Sequence, residues 1–305
     1  MTGSGAGLTS DEILLQYKKS SDATSISGKT AEDLKKGISE RLGKALHDTK
    51  DADMDDFIRF LTGRDNVDID GYKRGAEYFI NQWAATSGDS HPTSIMFQLA
   101  AKEEFSLDKV SLWWKKESID EAIKLLDIHG KAAQKFLREM YNDTQAHLKA
   151  KGLKTVRVTR GYRGEIGIDP STKNNLMKKV NPELQPMSSF SSDFTTPQKF
   201  ATLSEDGASL LFADIPADRI LGCPVTGFGC KKEVEWVVLG GEESTKSMMG
   251  STISYLGEGE GFMGATVQKF SADSWEDLFG AKYPSDISDK IASEILKMLK
   301  RLNNG

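Results

Sequence analysis

The sequence predicts an α+β protein in which an all-helical half, residues 1–150, precedes a mixed α/β half, residues 151–305. Two changes of pattern carry this. Up to about residue 150, apolar residues recur at three- and four-residue spacing, which lines one face of a helix. After Gly152 the pattern becomes short alternating or continuous runs of β-branched and apolar residues, separated by Gly and Pro, as in strands joined by turns. The length of 305 residues suits two domains, since one domain usually takes about 100–200 residues. The 38% hydrophobic content supplies a core.

In order, the helical period covers residues 10–19, 30–49, 53–62, 72–85, 94–104 and 118–149. Thr30 followed by Asp33 is a capping-box start. Between 118 and 150, Ile119, Ala122, Ile123, Leu126, Phe136, Leu137 and Met140 form the core stripe of one amphipathic helix, or of a pair broken near Gly130. Strand patterns follow at 155–162, 208–215 and 233–239. A helix at 285–302, with Ile287, Ile291, Ile295, Leu296 and Leu299 on one face, closes the chain. The change near Gly152 predicts two separate cores, with residues 151–305 folding alone.

Composition sets aside several function classes. No apolar run approaches the roughly 18 residues of a membrane helix. The small, polar start lacks the charged and apolar regions of a signal peptide. A cytoplasmic chain without a membrane partner is expected. Cys223 and Cys230 fit neither a CxxC pair nor half a zinc site, and the four histidines are scattered, so no metal is expected. Asn66, Asp68, Asp70, Gly71 and Glu77 match positions of a calcium loop, but Lys73 occupies a position that is normally apolar. A polar turn between helices is the better reading. The net charge of −5 argues against a general polyanion binder. Between residues 144 and 182, however, nine basic residues (Lys149, Lys151, Lys154, Arg157, Arg160, Arg163, Lys173, Lys178 and Lys179) face two acids. Charge runs of this kind are more often solvated faces than binding sites.

Three segments of the second half stand out together: Val156 to Gly161, containing Arg160; Ser188 to Ser192, followed by Phe200 and Ala201; and Glu233, Val234, Glu235, which open the run to Leu239. Singly, each suits an edge-strand arginine, a serine-rich turn or exposed glutamates at period two. In this order and spacing they resemble the Arg, Ser-x-Ser, Glu-x-Glu signature of the mono-ADP-ribosyltransferases related to bacterial toxins. Similar domains occur in phage-related and toxin-like bacterial proteins. The resemblance spans residues 156–239 and implies a split β-sandwich that uses NAD as substrate.

By that resemblance, Arg160 would anchor the dinucleotide with a permanently charged fork donor, and Gly161 would let backbone approach the nicotinamide amide. Ser189 would hold Arg160 and Glu235 by hydrogen bonds, with Ser191 and Phe200 completing the NAD-binding set. Glu235 would bind the ribose and stabilise the cationic transition state. Glu233, on the same strand face, would orient or deprotonate the nucleophile. Phe190 stands where the family has threonine. A register through Ser191 and Ser192 is the alternative, and Ser189 is preferred because it keeps Phe200 and Ala201 in place.

Residues 222–232, with Phe228 at the tip, would read the target. In the family the chain resembles, a glutamate at the place of Glu233 often goes with a protein arginine as acceptor, and the resemblance implies NAD hydrolysis as a side activity. The basic segment leaves a nucleic-acid base as the alternative, in a toxin–antitoxin or phage-defence effector. The helical half would then serve targeting, regulation or antitoxin binding. A non-catalytic phage-related interaction module is the remaining reading, and the intact Arg160, Glu233 and Glu235 argue against it.

Overall fold

The computed structural model describes residues 30–65, 67–86, 91–112, 114, 116–163, 178–179, 182–192, 208–227, 229, 234–245 and 249–253. The helices expected at 10–19 and 285–302, together with Phe200, Ala201, Phe228 and Glu233, lie outside them.

Helix α1 (Ala31–Asp48) begins where the Thr30 hydroxyl accepts from the Asp33 N–H and the Asp33 carboxylate accepts from the Thr30 N–H. This satisfies donors that a helix start leaves open. In α2 (Ala52–Thr62), Asp51 caps the Met54 N–H at 2.9 Å. Helix α3 (Ile69–Thr86) starts one residue after Asp68, whose carboxylate accepts from the Gly71 N–H at 2.9 Å. Asp70, Gly71 and Glu77 therefore lie on a helix and not around a cation loop, and Asp70 pairs with Lys73 at 3.2 Å. Helix α4 (Pro92–Glu104) carries proline in its first turn. Helix α5 (Lys116–Ala150) runs unbroken through Gly130, which packs against Leu126.

The helices bury Phe57, Phe79, Phe97 and Phe136 against one another, with Phe97 and Phe136 meeting edge to face at 5.6 Å. Helices α1 and α3 approach so closely at Gly43 that a Cβ there would lie 2.7 Å from the Lys73 Cα.

Among the described residues the strands are β1 (Thr155–Arg163), β2 (Lys178–Lys179), β3 (Met187–Ser191), β4 (Ala208–Pro216), β5 (Ile220–Gly222), β6 (Glu235–Leu239) and β7 (Met249–Ile253), with a short helix, α6 (Glu242–Thr245), after β6. They form a seven-stranded sheet in the order β2-β7-β4-β1-β3-β6-β5, and the pairings are antiparallel. The architecture is thus α+β. β1 pairs with β4 along its whole length, from Thr155↔Pro216 to Arg163↔Ala208, but meets β3 at Thr159↔Ser191. Past that pair, Arg160 and Gly161 of β1 and Ser189 of β3 flank the place where the two strands stop pairing.

Strand alternation divides the apolar residues between two faces. Met187, Leu221, Val237 and Leu239 join the helical core cluster. Val156, Val158, Phe190, Leu211, Trp236 and Val238 form a second cluster with Leu148 from the end of α5. Residue 150 therefore marks a change of secondary structure but not of core, which corrects the expectation of two separate cores. The physical reason is that a sheet has two faces to bury, and the helices cover one of them. Polar contacts reinforce the junction: the buried Gln98 Oε1 of α4 accepts from the Met187 N–H at 2.9 Å, and the half-buried Gln145 Nε2 of α5 donates to the Ala217 and Ile220 carbonyls at 2.8 Å. Among the described residues no helix is long and apolar enough to cross a membrane.

Candidate active site

Glu235 opens β6 and is only 6% exposed. The register Ser191↔Glu235 and Ser189↔Val237 places Ser189, Ser191 and Glu235 on the sheet face that meets the helices. Ser189 Oγ donates to Glu235 Oε1. Trp83 Nε1 of α3 donates to the same oxygen at 3.0 Å, from an indole 1% exposed. A buried carboxylate is costly unless it is hydrogen-bonded, and two donors converge here. Trp83 lies 152 residues away in sequence and belongs to no motif, so sequence reasoning missed it. The available signal was an indole N–H on a buried helix stripe, which needs an acceptor.

Gly229, in the connection from β5 to β6, packs against this carboxylate. Gly229 has φ 127, and a Cβ there would lie 3.0 Å from Glu235 Oε2, so both conformation and space call for glycine. The helices hold the base of this connection. Thr144 and Thr226 hydroxyls meet at 2.8 Å, and Arg41 Nη2 donates to the Val225 carbonyl at 2.6 Å. Val234, immediately before Glu235, has φ 49, unusual for a β-branched residue and a kind of backbone strain that gathers at functional sites. The strand consequently starts at Glu235, two residues later than the sequence pattern suggested. The period-two argument that put Glu233 on the face of Glu235 does not carry across Val234.

Arg160 occupies the other face. The pairs Thr159↔Ser191 and Arg160↔Leu211 put Thr159 on the side of Glu235 and Arg160 on the side of Phe190. Its guanidinium carbon lies 5.8 Å from the Phe190 ring centre, and Nη1 donates to the Ser189 carbonyl at 3.4 Å. Ser189 thus touches both partners, one through its hydroxyl and the other through its backbone. The structure brings Ser189 to Glu235 but does not bring the Arg160 guanidinium to that carboxylate. Gly161 sits beside Arg160, opposite Leu210.

Ser191 is buried, and its carbonyl accepts from the Thr159 hydroxyl at 3.2 Å. The Ser192 hydroxyl accepts from Trp236 Nε1 at 3.1 Å. Of the two serine registers considered from sequence, the one using Ser189 is the one whose hydroxyl reaches Glu235. Arg157, on the Glu235 side of β1, makes a bidentate pair with Asp214 at 2.6 Å for both contacts. It is internal to the fold and does not belong to a solvated basic face, whereas Lys149, Lys151 and Lys154 are exposed.

Among the described residues no cluster of His, Cys, Asp and Glu could hold a metal ion. What the arrangement offers chemically is a fixed, water-poor carboxylate beside a hydroxyl, able to stabilise positive charge developing next to it. Compared with models of known families, with curated proteins and with solved structures, the chain finds no match.

Proposed function

We propose that this chain is an NAD-dependent mono-ADP-ribosyltransferase with a split β-sandwich related to the toxin class, acting as a toxin or effector. The carrying observation is the buried Glu235 carboxylate held by the Ser189 hydroxyl, two residues that the sequence signature pairs. Support also comes from the place where β1 and β3 stop pairing, flanked by Arg160, Gly161 and Ser189.

In the reaction, the bond between the nicotinamide nitrogen and ribose C1′ breaks, and its electron pair leaves with nicotinamide. Glu235 stabilises the positive charge left on the ribose. The acceptor nucleophile bonds to C1′, and its proton passes to Glu233 or to solvent. Arg160 contributes charge for the pyrophosphate from the Phe190 side. The favoured acceptor is a protein arginine, read by residues 222–232.

The test is incubation of the full chain with NAD and a cell lysate, following nicotinamide release and label transfer. Release with a protease-sensitive label is the expected result. A nuclease-sensitive label would move the acceptor to a nucleic-acid base, and absence of release would overturn the proposal.

A further inference from the structure

We infer that Trp83 is a positioning residue: its indole N–H, delivered by the helical layer, holds the Glu235 carboxylate in its working orientation, so that α3 is part of the active site. The inference rests on the ADP-ribosyltransferase reading for its kinetic arm, though not for its geometry.

A glutamate has three rotatable bonds, and electrostatic stabilisation works only when the group is oriented before the reaction begins. The two donors on Oε1 differ in kind. The Ser189 hydroxyl can rotate and can donate or accept, whereas an indole N–H is a donor alone, in one fixed direction. Trp83 is itself clamped at 1% exposure within the helical core cluster, and α3 is locked to α1 by the close approach at Gly43. The rigid donor therefore comes from the helices, while the strand supplies the adaptable one. The same helices grip the adjoining connection through Thr144–Thr226 and Arg41–Val225. Side chain and loop are thus registered against a single frame.

Trp83→Phe removes the N–H and keeps an apolar ring, which separates positioning from packing. For the variant that folds, kcat for nicotinamide release should fall roughly tenfold or more, since small misplacements of a reacting group carry large rate penalties, while KM for NAD changes less than about threefold. An unchanged kcat would overturn the inference. The second readout needs neither turnover nor that variant. In ¹⁵N-indole spectra of the full chain, the Trp83 Nε1–H resonance should move in Glu235→Gln, and a resonance that stays in place would also overturn the inference. If the wild-type chain does not cleave NAD, the functional proposal fails by itself, and the indole resonance alone decides whether Trp83 holds Glu235.

Discussion

Glu235 and the groups around it make separable predictions at the residue scale. Glu235→Gln keeps an oxygen able to accept from Ser189 and Trp83, so the fold should survive with a melting temperature close to that of the parent. Nicotinamide release should nevertheless drop by ~10²–10³, the scale of losing one preorganised electrostatic group. Steady-state kinetics beside a thermal melt checks both halves, and full turnover would refute the assignment. Gly229→Ala tests the covering connection. Its Cβ would meet Glu235 Oε2 at 3.0 Å from a backbone at φ 127, so turnover should fall with a destabilisation of about 1–3 kcal/mol, the usual cost of local backbone strain. Undiminished turnover would show that the carboxylate has room to move. Arg160→Ala should raise KM for NAD if the guanidinium anchors the dinucleotide from the Phe190 side. An unchanged KM would make its stacking on Phe190 purely structural.

Helices were the legible elements. Amphipathic stripes located α1 to α4 within a few residues, and the Thr30 cap marked the start of α1, because a period of 3.6 and a side-chain cap are local properties. Strand limits were less legible. The Glu-Val-Glu run alternates like a strand, yet Val234 turns into the left-handed region, a conformation its sequence does not favour. Two contacts between elements can be tested by denaturant unfolding. Gly43→Ala would drive a methyl into the α3 backbone at Lys73 and should cost about 1–3 kcal/mol by overpacking. Asp214→Ala would leave the buried Arg157 without its bidentate partner, and loss of one member of a buried pair costs about 3–5 kcal/mol.

For the whole molecule, the shared core alters what truncation should do. The pattern change at Gly152 suggested that residues 151–305 would fold alone, but Met187, Leu221, Val237 and Leu239 are buried in the cluster the helices supply. Without residues 1–150 those side chains would face water, each at a cost of roughly 1.5–3 kcal/mol, and Glu235 would lose the Trp83 donor. The fragment should therefore show no cooperative thermal transition under conditions where the full chain melts cooperatively. A cooperative fragment that still cleaves NAD would demonstrate an autonomous second half.

The order of helices before strands and the apolar faces of those helices could be read from the chain alone, and the spacing of its motifs pointed to Ser189 and Glu235 as partners, which do hydrogen-bond. All of these depend on neighbours close in the chain or on residue types at fixed spacing. That Trp83 meets Glu235, that Arg160 faces Phe190, that Arg157 belongs to Asp214, and that one core crosses residue 150 became visible in the folded chain. Each of these depends on strand register or on the docking of a helix against one face of a sheet. A one-residue change of register moves a side chain to the opposite face, and the balance of packing that selects it is spread over the whole molecule.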